Sequence, residues 1–516
     1  MIEDNRKFNE NVQPNSAFIN RLFDILPEFF DKEKYDEQGN LLKLPEFDLD
    51  KFQRELKEKN IDELKDGFQL NFIGKDYARR QTGEMPSTVI VPDEEQNKGD
   101  GVNSGNLFFT GDNLEVLRHL QNNYQNKIDV IYIDPPYNTG FDGFVYPDSF
   151  EYGDDQLKRM FGIDDDQVDR LKSIQGKSSH SAWLTFIYPR IFLAKRLLND
   201  FGLIFVSIDE NEVTNLKQIM NEIFGEDNFV SSFVWRKKTG ANDAKDVATI
   251  TEFILMFAKN KNKAISNIMF SRDIESVNHD RYRKKDEYFE KRGRFYYDTL
   301  DRGGLSYSDS LNYGIQAPNG TTLFPSDRTE YKNDGWIWKW SRDKVKWGLK
   351  NGFIEIQKNN NRNSGWSVKY KLYELVDNND EPRKNVGRAY SNLITNVLNT
   401  DGSTEIKHYF KSGLFTNPKP TGLIKYLLKV INSDHSTILD FFAGSSTTAD
   451  AVMQLNAEDG GYRKFIMVQL PEKTYYTDKD GKESPTKGGK AAYDAGFKSV
   501  DQISRERIRR AAKKIK

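Results

Sequence analysis

The chain has 516 residues, 37% hydrophobic and 30% charged, with a net charge of −2 and no cysteine. That length predicts two or three domains, and the missing cysteines exclude disulfides, thiolate metal sites and a Cys nucleophile. Near-neutral charge excludes a globally basic nucleic-acid binder and leaves local patches only; no apolar run reaches the ~18 residues of a membrane span, and the polar N-terminus is unlike a secretory signal, so a cytoplasmic protein is expected.

Residues 1–65 read as helical and charged, with helical spacing over 19–26 and 52–59. A polar connector over 84–105 follows. From 106 the pattern changes to short apolar runs alternating with amphipathic stretches. Strands are expected at 107–109, 129–133 and 203–208, and helices at 113–120, 182–198 and 213–224. Runs such as Asp129-Val-Ile-Tyr-Ile133 are of the kind buried on both faces of a parallel sheet. The alternation predicts an α/β domain with a mostly parallel sheet. It breaks over 228–415, which is richer in Asn, Gly, aromatics and Arg/Lys. It resumes with a helix at 422–431, a strand at 437–441, a helix at 447–455 and a strand at 465–470. The middle therefore reads as an insert in a split α/β domain of 66–227 and 416–516. Residues 504–516 form a basic helix candidate.

Two motifs carry chemistry. Asp134, Pro135, Pro136 and Tyr137 directly follow the strand ending at Ile133, where open α/β sheets bind ligands. The N6 amine of adenine is a poor nucleophile, because its lone pair is delocalised into the ring. Accepting hydrogen bonds from its N–H groups returns density to nitrogen. Asp134 supplies a carboxylate acceptor, and the stiff Pro135–Pro136 pair, without N–H donors, presents a backbone carbonyl. Tyr137 offers a flat face for an extruded base. The bland alternative is a Pro-rich turn with Asp as a cap.

The second motif runs from Asp440 to Thr447, between a strand and a helix. Gly444 allows close backbone approach, and the hydroxyls of Ser445 and Thr447 with the helix amides suit a carboxylate such as that of S-adenosylmethionine. A P-loop is excluded, since Leu171 stands where the first Gly before Gly176-Lys-Ser178 would belong. The five histidines lack metal-ligand spacing, so no metal site is expected.

With these motifs, Gly111-Asp-Asn-Leu-Glu-Val116, Trp183-Leu-Thr-Phe-Ile-Tyr-Pro-Arg190, Ile204-Phe-Val-Ser-Ile-Asp-Glu-Asn211, Phe224-Gly-Glu-Asp-Asn228, Thr416-Asn-Pro-Lys-Pro420 and Val468-Gln-Leu-Pro-Glu472, the chain resembles the modification (Mod) subunits of type III restriction–modification systems. These are β-class adenine-N6 DNA methyltransferases. The resemblance covers about 65–516. It implies a Rossmann-like S-adenosylmethionine-dependent methyltransferase fold, split by a target-recognition domain at 228–415. It also implies methyl transfer to adenine in duplex DNA by base flipping, a homodimer, and a restriction (Res) partner. By resemblance, Asp134 and the Pro136 carbonyl contact the target amine. Asp440, Phe442, Gly444, Ser445 and Thr447 line the cofactor pocket, Asp112 and Asn113 stand on its adenine side, and Lys419 leads into it. The ribose falls to Gln469 or Glu472, a choice left open: Gln469 is nearer the strand end, and only Glu472 is acidic. Phe441 and Ser446 depart from the commoner Pro and Gly of such motifs. Members usually continue past a basic helix like 504–516, which points to a shortened chain or a shorter relative.

The insert holds six of the seven tryptophans and a basic stretch, Arg281, Arg283, Lys284, Lys285, Arg292 and Arg294. Basic side chains interleaved with aromatics suit phosphate contacts and base readout; acids within the stretch keep a solvated helix face open as the alternative. Trp336-Ile-Trp-Lys-Trp340 alternates as one strand face and is read as the insert's small core. Two competing functions are RNA or protein-glutamine methylation by the same motif, and a non-catalytic specificity subunit.

Overall fold

The computed structural model describes residues 26–30, 34–35, 41–43, 47–52, 70–99, 101–139, 165–173, 179–240, 247–267, 269–304, 306–383, 387–411, 413–432, 434–479 and 481–515. The helices expected at 19–26 and 52–59 lie outside these residues but for single end positions. The chain forms two compact units, one of 1–271 with 391–516 and one of Arg272–Tyr390.

The first unit is built on an eight-stranded sheet. Its strands are β1 (Leu107–Thr110), β2 (Ile128–Ile133), β3 (Leu198–Ile208), β4 (Phe229–Arg236), β5 (Thr251–Ala258), β6 (Leu393–Ile394), β7 (Thr437–Asp440) and β8 (Lys464–Gln469). Their order across the sheet is β6-β4-β5-β3-β2-β7-β8-β1. β5 pairs antiparallel with β3 and β4, and every other ladder of the sheet is parallel. This is the expected mostly parallel α/β sheet. The unbroken apolar runs of β2 and β3 are buried almost throughout, as strands covered on both faces must be.

Eight helices are used below: α1 (Lys75–Gln81), α2 (Asn113–Tyr124), α3 (His180–Leu197), α4 (Val213–Phe224), α5 (Asn399–Phe410), α6 (Thr421–Lys429), α7 (Thr447–Asp459) and α8 (Val500–Ile515). α2 starts where it does because the Asp112 carboxylate accepts from the backbone N–H groups of Leu114 (2.8 Å) and Glu115 (3.2 Å). Ser179 caps α3 in the same way, through the N–H of Ala182. α1, α2, α3 and α4 pack into one core around fully buried Trp183, Leu117, Ile187 and Ile219.

The second unit carries a three-stranded antiparallel sheet, with Trp366–Tyr373 between Ile354–Lys358 and Phe295–Thr299. Its own core gathers Trp338, Trp340, Phe353 and Tyr373. Arg272 and Asp273 at its start pair antiparallel with Ala389 and Arg388 at its end, so the two ends of the unit are joined. Trp338 and Trp340 are core, whereas Trp336 is 38% exposed, because only 337–338 of that stretch are strand.

The inserted segment is thus shorter than the 228–415 expected. β4 and β5 are hydrogen-bonded into the large sheet, and β6 and α5 also belong to the first unit. The Asn- and aromatic-rich composition after 228 hid them: β4 mixes Ser with apolar residues, and an antiparallel strand breaks the strand–helix alternation.

Candidate active site

The parallel strands all end at one edge of the sheet. β2 delivers Asp134 there, β7 delivers Asp440, β8 delivers Gln469 and β1 leads to Asp112. β2 and β7 are neighbours, with Leu439 opposite Ile131. The two motifs therefore lie side by side, although 440 − 134 = 306 residues separate them in the chain. β5 runs the other way, so its beginning reaches the same edge: Glu252 stands opposite Trp235 near the end of β4.

Tyr137 donates its hydroxyl to Asp134 Oδ1 at 2.6 Å. The Lys419 ammonium donates to the Tyr137 oxygen at 2.8 Å and lies 3.2 Å from Asp134 and 3.0 Å from Glu252. Lys237, just past β4, pairs with the other oxygen of Glu252 at 2.9 Å. Two carboxylates and one ammonium group thus surround one phenol, with Lys237 on the far oxygen of Glu252. Burial raises the Asp134 carboxyl above its usual range, although Lys419 and Tyr137 pull it back. Burial also pushes Glu252 up, but Lys419 and Lys237 outweigh it and hold that carboxyl below its usual value. The charge of Lys419 survives burial because Asp134 and Glu252 face it.

Pro136 was expected to offer its carbonyl to the target amine. That oxygen instead accepts the indole N–H of buried Trp183 at 2.6 Å. Among the described residues no backbone N–H donates to the Pro135 carbonyl. Beyond the motif, Asn138 adopts a left-handed backbone (φ 60°), and its side-chain amide donates to buried Glu212 at 2.7 Å.

At the second motif, Asp440 is buried, and among the described residues it has no ion-pair partner. One oxygen accepts from the Phe442 N–H (3.0 Å) and the other from the Thr448 hydroxyl (2.6 Å). Burial raises its pKa to about 7. Gly444 takes φ +52°, a region that favours glycine. Its N–H donates to Gln469 Oε1 at 2.7 Å. Ser446, also left-handed, keeps a buried hydroxyl that has no hydrogen-bond partner among the described residues. Phe442 lies against Phe186. Asn113 donates to the Phe441 carbonyl at 2.9 Å and accepts from Arg190 at 2.6 Å. Asp112 is spent partly on capping α2, and its second oxygen faces Arg190 at 3.4 Å with the side chain 48% exposed.

The geometry separates the expected residues. Gln469 touches the Gly444 loop, whereas Glu472 is exposed and joins the fold through its carbonyl, which accepts from Val500. Lys419 was expected to lead into the cofactor pocket. Only its backbone does so, accepting from the Thr447 hydroxyl at 3.0 Å, while its ammonium lies in the cluster around Asp134. Ser445 and Thr447 both accept from Arg507 of α8, at 2.9 and 2.8 Å. Glu252, Lys237, Trp183 and Arg507 were not foreseen.

In the second unit, Arg281, Arg283, Lys284, Lys285 and Arg294 are exposed. Arg292 is not: at 3% exposure it pairs with Asp380 through two nitrogens (2.9 and 3.0 Å) and stacks 3.8 Å above the Tyr288 ring. Its guanidinium is consumed inside the unit, which removes it from the expected DNA-contacting set.

The family model described as a DNA methylase of the N6/N4 type matches residues 128–477. The Mod subunit of the type III restriction–modification enzyme StyLTI of Salmonella typhimurium is 45% identical over 520 residues, covering 100% of this chain and 74% of that one. The EcoPI Mod subunit of Escherichia phage P1 is 34% identical over 98% of this chain and 76% of its own length. Among solved structures, the M1.HpyAVI–SAM complex aligns with a TM-score of 0.30 and 12% identity over 71% of this chain and 94% of that chain. The chain is therefore a DNA methyltransferase of the N6/N4 family, which draws its methyl group from S-adenosyl-L-methionine. Within that family it belongs to the Mod subunits of type III restriction–modification enzymes. Among the described residues, no helix is long and apolar enough to cross a membrane.

Proposed function

We propose that this chain methylates the N6 amine of adenine at a specific duplex sequence, as the modification and recognition subunit of a cytoplasmic type III system. The observation that carries the reading is the adjacency of Asp134 and the Asp440–Thr447 loop on neighbouring strands, with Tyr137 bonded to Asp134. A carboxylate, a flat ring and a glycine turn meet there at one sheet edge.

The loop fits S-adenosylmethionine. It combines a left-handed glycine, the N-terminus of α7 and, on Ser446, a buried hydroxyl with no partner among the described residues. We assign Asp440, Phe442, Gly444, Ser445, Thr447 and Gln469 to hold it, with Asp112 and Asn113 alongside; Gln469 is preferred to Glu472 for the ribose. When bound, this cofactor supplies an electrophilic methyl group on a sulfonium.

The remaining work falls to the chain. Asp134 accepts one N–H of the amine, and the Pro135 carbonyl, rather than the occupied Pro136 carbonyl, accepts the other. Drawing on both N–H groups makes the nitrogen more nucleophilic. Asp134, with its carboxyl raised by burial, takes up the proton that the methylated amine sheds. Adenine in a duplex hides N6, so the base is turned out of the stack onto Tyr137. Exposed Arg281, Arg283, Lys284, Lys285 and Arg294 in the second unit contact DNA phosphates, and that unit reads the target. In this reading the chain works as a homodimer with a Res partner; the names of its relatives supply only that each is a Mod subunit of a type III restriction–modification enzyme.

The test is incubation of DNA with labelled S-adenosylmethionine and wild-type or Asp134→Ala protein, followed by mass spectrometry of nucleosides. N6-methyladenine from the wild type alone is expected. N4-methylcytosine, or equal product from the variant, sinks the reading.

A further inference from the structure

α8 carries the basic run that closes the described chain, yet its arginines do not form a free positive face. Arg505 pairs with Asp501 at 2.6 Å and Arg510 with Glu506 at 2.7 Å. Arg507 is fully buried. Its guanidinium donates to Asp450 through two nitrogens (3.1 and 3.0 Å), to Glu405 at 3.0 Å, and to the hydroxyls of Ser445 and Thr447. Tyr409 donates to the other oxygen of Asp450 at 3.1 Å. Glu405 in turn accepts from the N–H and hydroxyl of Thr421 at the start of α6. One turn earlier on α8, the Ser504 hydroxyl donates to the Gly444 carbonyl. The same helix face therefore touches three residues of one loop, Gly444, Ser445 and Thr447.

The direction of these bonds matters. A guanidinium has donors only, so it fills acceptor lone pairs of the Ser445 and Thr447 hydroxyls. The Thr447 proton is already directed to the Lys419 carbonyl. The Ser445 proton has only a long contact of 3.4 Å with the Thr447 oxygen, which a better acceptor displaces, and among the described residues the Ser446 hydroxyl beside it has no partner. The loop is thus polarised to donate.

We propose that Arg507 and Ser504 are positioning residues that fix the 444–447 loop as a donor cradle for the carboxylate end of the cofactor. The inference rests on the reading of this loop as the cofactor site. It assigns α8 a part in choosing the ligand rather than only in holding the fold.

The experiment compares two ligands by equilibrium binding to the full chain. S-adenosylhomocysteine carries the amino-acid end; 5′-methylthioadenosine keeps the adenosine and lacks that end. For Arg507→Lys, which cannot hold Asp450 and Glu405 with two nitrogens while a third reaches both hydroxyls, S-adenosylhomocysteine affinity is expected to fall at least about tenfold while 5′-methylthioadenosine changes less than about twofold. Ser504→Ala is expected to shift the same ratio in the same direction by a smaller factor, and it decides the matter if Arg507→Lys does not fold. An unchanged ratio, or an equal loss of both ligands, overturns the role of Arg507 and Ser504. Gly444→Val tests the underlying reading separately: if it binds both ligands as wild type does, the loop is not the cofactor site.

Discussion

The indole N–H of Trp183 donates to the carbonyl of Pro136 at 2.6 Å, from a ring with no exposure to solvent. A residue of α3 thereby fixes the orientation of a peptide plane within the motif that also holds Asp134 and Tyr137. Replacing the indole by a phenyl ring keeps most of the apolar volume and leaves the Pro136 oxygen without its donor. Trp183→Phe is expected to lose about 1–3 kcal/mol of stability. It should also lower kcat about tenfold or more with cofactor affinity intact, because the reacting groups are no longer held in register. Steady-state kinetics, denaturant melts and cofactor titration on the same preparation check this. An unchanged kcat would show the indole to be mere packing.

Glu252 raises the neighbouring Asp134 carboxyl by its negative charge and competes with it for Lys419. Glu252→Gln removes that field and frees Lys419 to face Asp134. Both changes lower the Asp134 pKa. The acid limb of kcat/KM against pH, where an ionised Asp134 is required, should therefore move to lower pH. A limb that stays or moves up contradicts the electrostatic account.

Asp440 titrates in the folded protein at about 7, above the ordinary 3.8, because it is buried. The folded chain thus binds this proton more tightly than the unfolded chain does. The stability it contributes is complete below the unfolded pKa and is lost as pH rises through the folded one. Wild type should lose stability relative to Asp440→Asn from about pH 4 to about pH 8, by about 1 kcal/mol per pH unit in the middle of that window, and the two curves should run parallel only above it. Urea melts across that range measure it; a constant difference would mean that the carboxyl titrates normally.

Arg292 and the exposed arginines beside it should behave in opposite ways. Arg292→Ala leaves Asp380 with Lys291 as its remaining ion-pair partner among the described residues and empties the space against Tyr288 and Phe353. It is expected to cost the second unit about 3 kcal/mol or more. Arg281→Ala with Arg283→Ala should leave the melt unchanged. If these side chains meet phosphates, the double variant should flatten the salt dependence of DNA binding by about one unit of slope per lost contact. Equal slopes for wild type and variant would remove them from the DNA surface.

Much of this was legible in the sequence because parallel strands covered on both faces must be continuously apolar. β2, β3, β7 and β8 were visible as such, and the residues at their carboxyl ends followed. Glu252 was not. It sits at the beginning of a strand that runs against its neighbours, so no rule about carboxyl ends reaches it, and a lone acid has no local signature. Trp183 stood in a stretch noted for its resemblance, but nothing local links an indole on a helix to a carbonyl 47 residues earlier. Arg507 did leave a trace. With Ile503 and Ala511 it lies on the buried stripe of α8, spaced by four, while the other arginines fall off that stripe. Counting the basic residues obscured which of them faced inward.

The paired ends of the second unit have a consequence for descent. Arg272 and Asp273 meet Ala389 and Arg388, so the chain leaves the first unit and returns to it at nearly one point. A segment tied off in this way can be exchanged by recombination for any other whose ends lie equally close, and the strands on either side need not shift. Lineages of such enzymes can therefore change this unit wholesale while the sheet edge bearing Asp134 and Asp440 is inherited intact.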